Sequence, residues 1–417
     1  MIEIRELDNG VRVVMENIPY VKSAALGIWV RTGAVDETPD NSGISHFVEH
    51  MMFKGTKKRS AKEIAEEVDS LGGHINAFTG REATCYYIKT LESNLDEATD
   101  ILLDMFMNSA FESGEMKRER GVICEEIKMI KDTPDEDAND SICELVFKGN
   151  KFGKSIVGTP ASLRKIDHDI MKKYISDEYV RGSIVVSAAG KFDKDVLCER
   201  IEKSMKRLKA KKKIKAEPEW KYRPRFKVKE KDIEQTHICM AVRSVDLEDD
   251  RYPALMLLSN VMGGSMSSRL FQNVREQKGL AYSVFSMNSS FSTDGYFNIY
   301  AGVGNDKADK AINAIKEELT ALDKEGITEA ELAKAKEQMK SSFIFSQENV
   351  NSRMFSMGNS LTIIGRVRTP EEIVKRIDNV TMDDIRGAAE LITDIGAYSG
   401  VAVTGSKFDL KKYIREI

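Results

Sequence analysis

Cysteine and histidine are both scarce, with five of each in 417 residues. The cysteines are Cys85, Cys124, Cys143, Cys198 and Cys239; they are odd in number, scattered, and form no C-x-x-C pair. That pattern excludes a disulfide framework and fits free thiols in a reducing compartment. No apolar run is long enough to cross a bilayer. The first residues, Met1-Ile2-Glu3-Ile4-Arg5-Glu6, lack the basic start and apolar core of a signal peptide. A soluble, cytoplasmic protein with no membrane partner is therefore expected. Charge of one sign is lacking too: the net charge is −4. The one basic run, Lys206 to Lys215, has no interleaved aromatics, so it reads as a solvated linker and nucleic acid is not an expected partner. What remains is ordinary for a globular chain, 41% apolar and 31% charged residues, with length for two or three domains.

Against this background the five histidines, at 46, 50, 74, 168 and 237, are not evenly spread. Two fall in His46-Phe47-Val48-Glu49-His50. On a helix, residues four apart lie one above the other on the same face, and Glu49 flanks that face. Phe47, Val48, Met51 and Met52 cover the other sides, so the helix is expected to be buried. A buried helix that aims two imidazoles and a carboxylate at one point needs something there to satisfy them. Zinc takes neutral imidazole nitrogen, and H-x-x-E-H is a zinc-site signature, the reverse of H-E-x-x-H. A pair of satisfied core histidines is the bland alternative, and a third ligand decides between the two.

In chain order, residues 2–17 alternate around Asn9-Gly10 as a hairpin, and Ser23 to Gly33 reads as a third strand. Ser60 and Glu63 form a capping box for a helix stopped by Gly72-Gly73. Strands His74–Thr79 and Ala83–Thr90 follow, then an amphipathic helix from Leu95 to Phe106. The next helix, about 114–131, carries Glu119 and Glu126 two turns apart on one face. Any glutamate here can be a solvated charge, given Lys117, Arg118, Arg120 and Lys128 around it. Glu126 is flanked by Ile123, Ile127 and Ile130, and that apolar border favours it as the third ligand. The acidic segment Asp132 to Asp137 reads as a solvated loop.

The second half repeats the first. Thr369-Pro370 and Ile377-Asp378 echo Thr159-Pro160 and Ile166-Asp167, and the strand Tyr296–Tyr300 with its following helix echoes Cys85–Lys89 with its own. The expected fold is α+β: two homologous αβ domains from an internal duplication, each a mostly antiparallel sheet packed with helices. Domain one is 1–208, a linker spans 209–228, and domain two is 229–417. The duplicated place of the histidine helix falls near Leu257, in Leu257-Leu258-Ser259-Asn260-Val261-Met262, where no ligand survives. By itself, Arg275 to Tyr282 is a charged turn leading into a strand.

These residues resemble the inverted zinc metallopeptidases that include pitrilysin, insulin-degrading enzyme and mitochondrial processing peptidase. The likeness is greatest to the short bacterial relatives of the processing-peptidase catalytic (beta) subunit, and it covers essentially the whole chain. Four motifs carry it: His46-x-x-Glu49-His50, the Glu119/Glu126 helix, Gly73 to Thr79, and Arg275 with Tyr282 seven residues on. The resemblance implies one Zn2+ per chain on His46, His50 and Glu126, and Glu49 as general base. It implies Glu119 as an orienting carboxylate and Asn76, Ala77 and Phe78 on an edge strand that pairs with an extended peptide substrate. Arg275 and Tyr282 would hold substrate carbonyls or the oxyanion, across a chamber that the two domains face. It further implies an endopeptidase acting on unfolded peptides, and a homodimer. Its alternative is a non-catalytic or scaffold subunit partnering another chain of the family, since some relatives have that role. The chain lacks the two further repeats of the longest members.

Overall fold

Asn9 and Gly10 reverse the chain, Gly10 with φ +80°, and join the first two strands into an antiparallel hairpin. The computed structural model describes residues 2–209 and 220–415. The first copy runs β1 (Ile2–Glu6), β2 (Arg12–Asn17), β3 (Ser23–Val30), α1 (Ile44–Met52), α2 (Ala61–Ser70), β4 (His74–Thr79) and β5 (Thr84–Leu91). It continues with α3 (Leu95–Asn108), α4 (Ser113–Asp132), α5 (Pro134–Val146), α6 (Pro160–Lys165), α7 (His168–Glu178), β6 (Ile184–Gly190) and α8 (Lys194–Ser204). The second copy runs β7 (Phe226–Glu230), β8 (Gln235–Ser244), α9 (Tyr252–Gly263), a π-helical stretch Phe271–Gln277, β9 (Ala281–Ser290) and β10 (Gly295–Gly304). It closes with α10 (Ala308–Glu325), α11 (Glu329–Ser346), α12 (Val350–Ile363), α13 (Pro370–Asp378), α14 (Met382–Ala389), β11 (Ser399–Thr404) and α15 (Leu410–Arg415).

The two sheets repeat one topology. The first is ordered β1-β2-β6-β3-β5-β4 and the second β7-β11-β8-β10-β9. Each contains a single parallel pair, β2 with β6 and β7 with β11, and every other pairing is antiparallel. Setting β1 aside, strand follows counterpart strand. The expected α+β duplication with helices packed on mostly antiparallel sheets is therefore what the chain adopts. Each sheet has its own core. Val13, Met15, Leu26, Ile28, Val30 and Ile88 meet α1, α3 and α8 in the first, and Ile238, Met240, Phe297, Ile299 and Val303 meet α9 and α10 in the second. No helix among the described residues is long and apolar enough to cross a membrane.

The compact units do not follow chain order. One comprises residues up to Ile127, residues from Lys154 to the linker, and Phe345–Thr369; the other comprises Lys128–Gly153, Glu219–Ile344 and Pro370 onward. The expected boundaries, 1–208 and 229–417, thus differ from these units by two exchanged segments. Of the expected linker 209–228, residues 210–219 lie outside the described residues. The helix α12, late in the chain, packs on β2, β3 and β6 of the first sheet. Close approach there requires glycine: a Cβ on Gly358 would stand 2.0 Å from the Trp29 Nε1. The helix α5 packs on β8 and β11 of the second sheet. Here the expected solvated loop is wrong. Thr133 precedes Pro134 at the first helical position, and the acids after it suit the positive end of a helix. Asp137 is buried between Lys229 Nζ at 2.6 Å and Lys231 Nζ at 2.8 Å.

Candidate metal centre

The site is built on α1. Its first turn would leave backbone N–H groups without partners, and the buried Glu37 carboxylate takes two of them, Gly43 N–H at 2.7 Å and Ser45 N–H at 2.9 Å. Gly43 itself has φ +88°, and a Cβ there would lie 2.7 Å from the Val157 carbonyl oxygen. Only glycine meets both demands. Ile44, Phe47, Val48, Met51 and Met52 are fully buried or nearly so. Their burial fixes the rotation of the helix, so that His46 and His50 share the remaining face, ring centroids 4.6 Å apart.

From α4, Glu126 comes to meet them. Its Oε1 lies 3.7 Å from His46 Nε2 and its Oε2 lies 3.6 Å from His50 Nε2. One ligand atom from each of the three residues lies within 4.8 Å of the other two. These separations are longer than a good hydrogen bond. They are close to the roughly 3.3–3.4 Å that separates ligand atoms around a tetrahedral ion with bonds of about 2.0–2.1 Å. The donor set therefore fits a metal ion better than a direct imidazole–carboxylate contact. Glu119, buried two turns earlier on α4, sets its Oε2 3.1 Å from His50 Nδ1 while its Oε1 accepts from Lys54 Nζ at 2.8 Å. That contact occupies Nδ1 and leaves Nε2 of His50 for an ion. His46 Nδ1 is buried without a partner among the described residues.

The protonation pattern suits the same purpose. Burial pushes the His46 pKa down, toward the neutral imidazole that a metal takes. At His50 burial pulls the same way, but Glu126 and Glu119 outweigh it and the pKa is raised. His50 beside it holds the Glu126 carboxyl below its ordinary value, against burial. Burial raises the carboxyl of Glu49, which is not among the three converging ligands, although the Thr79 hydroxyl opposes the shift by donating to its Oε2.

Of the residues singled out in the sequence, His46, Glu49, His50, Glu119 and Glu126 come together here. Asn76, Ala77 and Phe78 lie on β4, which is the edge of the first sheet. Phe78 packs edge-on against Trp29 and Phe355. Arg275 lies in the π-helical stretch with its guanidinium over the Phe271 ring, 4.6 Å from the centroid, and Tyr282 is an exposed residue at the start of β9. Both belong to the second unit. Sequence reasoning missed Glu37, Lys54 and Thr79. Only Thr79 left a usable sign, the alternation that puts Ile75, Ala77 and Thr79 on one face of their strand.

Residues 12–160 match the insulinase domain of Peptidase family M16, and residues 165–339 match the Peptidase M16 inactive domain. An uncharacterized zinc protease of Bacillus subtilis, YmxG, is 40% identical over 407 residues, 97% of this chain and 99% of its own. An uncharacterized zinc protease of Rickettsia felis is 37% identical over 390 residues, 93% of this chain and 94% of its own. Among solved structures, a protease from Helicobacter pylori superposes with a TM-score of 0.90 at 24% identity, covering 97% of this chain and 99% of that one. A Pseudomonas fluorescens structure described as a peptidase M16 inactive domain gives 0.90 at 16% identity, covering 98% of each chain. At those identities the two structures speak for the fold alone. The sequence matches go further, and this chain belongs to the M16, insulinase-type, peptidase family.

Proposed function

We propose that the protein is a zinc-dependent endopeptidase that hydrolyses extended, unfolded peptides, with Glu49 as the general base. One observation carries the reading: His46, His50 and Glu126 converge, and Glu49 lies beside them outside the ligand set. Three protein ligands with a fourth position left open is the arrangement of a catalytic zinc, whereas structural sites fill all four positions with protein. One zinc per chain, when bound, supplies Lewis acidity that acidifies water and polarises a carbonyl. Glu49 takes the proton of the attacking water and delivers it to the leaving amine nitrogen. A carboxyl raised by burial is matched to both steps. Glu119, tied to Lys54, holds the His50 ring in its tautomer and orientation.

β4 offers an open edge, and an extended peptide can add to it as a further strand, so Asn76, Ala77 and Phe78 are proposed as the docking strand. Folded proteins cannot present such a strand and are not expected substrates. Arg275 and Tyr282 are proposed as contacts to substrate carbonyls or the oxyanion on the resemblance alone. On the same ground the working form is proposed as a homodimer, and a cytoplasmic location is proposed from the five scattered cysteines. The test pairs zinc content with cleavage of a quenched unfolded peptide, for wild type and Glu49→Gln. Both proteins should hold about one zinc, and only wild type should cleave. A wild type that holds zinc and cleaves nothing in a broad peptide library is better read as a scaffold for another chain of the family.

A further inference from the structure

β4 alternates strictly. His74, Asn76 and Phe78 are the more exposed residues, and Ile75, Ala77 and Thr79 the more covered ones. Ile75 and Ala77 pack on the core that contains α1, so the third residue of that row, Thr79, faces the same helix. Thr79 closes the strand, paired with Thr84 of β5. Its Oγ1 donates to Oε2 of Glu49, and among the described residues it is the one side chain that hydrogen-bonds this carboxylate. A carboxylate on a flexible side chain can turn about its last bond. A donor fixed on one oxygen stops that rotation and leaves the other oxygen aimed. The donor here stands on a hydrogen-bonded β-strand, which is a firmer support than a loop.

We infer that Thr79 is a positioning residue: its hydroxyl holds the Glu49 carboxylate in the orientation that proton transfer needs, from the end of the strand proposed to dock the peptide. The inference rests on the peptidase reading given above. It assigns Thr79 no contact with the reacting atoms, so its effect belongs in turnover and neither in metal binding nor in substrate affinity. Loss of one hydrogen bond to a charged group corresponds to about a tenfold change or somewhat more.

The test compares Thr79→Val, which keeps the shape and β-preference of the side chain and removes the donor, with Thr79→Ser, which keeps the donor. Zinc content, KM and kcat are measured on one unfolded peptide. The expected result for Thr79→Val is kcat lowered about tenfold, with KM and zinc content as in wild type. Thr79→Ser should recover most of the lost turnover. Wild-type kcat in Thr79→Val overturns the inference. Equal impairment in the two variants also overturns it, because packing and not the hydroxyl would then be the cause, as does a loss expressed through zinc content or KM. A wild type that cleaves no peptide overturns the peptidase reading itself and this inference with it. That result is separately recognisable, since it is seen before either variant is made.

Discussion

The helices α1 and α9 hold the same place in the two copies, and they solve burial in opposite ways. At the offset of 211 residues that separates Ile166 from Ile377, His46, Glu49 and His50 correspond to Leu257, Asn260 and Val261. Leu257 and Val261 sit in the second core with Leu255, Leu258 and Met262. Each such side chain contributes about 1.5–3 kcal/mol by leaving water, and none asks for a partner. His46 is buried and His50 half-buried, and their rings must be answered by polar groups; α4 supplies Glu126, Glu119 and, through Glu119, a link to Lys54. The counterpart of α4 makes no such offer to α9. At the same offset Glu126 becomes Glu337, an exposed residue 3.5 Å from Lys340. The ligands on the helix are thus gone in the second copy and the glutamate kept at the offset faces solvent, while the sheet order around them is the same. The fold needs a buried helix at this position, and only the chemistry needs a polar one.

The sharpest way to break this comparison is to write the second copy into the first. His46→Leu should abolish zinc binding and peptide turnover together. Stripped of metal, the variant should melt at or above metal-free wild type, because an imidazole with an unpartnered buried Nδ1 is gone. A clearly lower melting temperature would show that His46 contributes to packing as well as to the site. Next in size is Glu49→Gln, expected to lower turnover by about 10²–10⁴-fold with zinc retained; metal analysis and peptide cleavage on the same sample check it, and wild-type turnover would remove Glu49 from its role.

The reverse graft is a stability experiment. Leu257→His places a polar ring at a fully buried position of the second core and should cost about 2–5 kcal/mol in denaturant unfolding without gaining a metal. A near-neutral result would mean that α9 is less tightly packed than its burial indicates. The smallest effect concerns the cap on α1. Burial raises the Glu37 carboxyl from about 4.5 to about 7, although two backbone N–H groups oppose the shift. The folded protein therefore keeps a proton that the unfolded chain has released, and stability from this group is complete below about pH 4.5 and lost as pH rises through about 7. Glu37→Gln cannot titrate, so its melting temperature should fall less across that interval than that of wild type. Parallel curves would exclude Glu37 as a source of the slope.

Much of this was legible in the sequence because it is local. The hairpin at Asn9-Gly10 and the capping box at Ser60 and Glu63 follow from turn and capping chemistry, and the face shared by His46 and His50 and the two-turn spacing of Glu119 and Glu126 follow from the helical period of 3.6. The two exchanged helices were not legible. The first turn of α5 is acidic, and its sequence does not reveal that Lys229 and Lys231, about ninety residues on, will neutralise Asp137. Along α12 there is little apolar contrast between faces, so the side that meets the first sheet through Met354 and Gly358 does not stand out in the sequence. Glu37 and Thr79 are ordinary residues until the chain folds and brings an N–H pair to one and a carboxylate to the other.

That exchange has a consequence for how the chain could ever be divided. A cut between residues 209 and 220 would yield two pieces, each carrying a helix that completes the other's sheet. The N-terminal piece would hold every ligand yet leave Trp29 and the adjoining β-strands bare where α12 belongs, and the C-terminal piece would lack α5 over β8 and β11. Neither half is a self-sufficient domain, and the two should regain structure only when mixed, as fragments that complement one another. The repeat without the ligands is for this reason not dispensable: its chain lends the ligand-bearing repeat a wall.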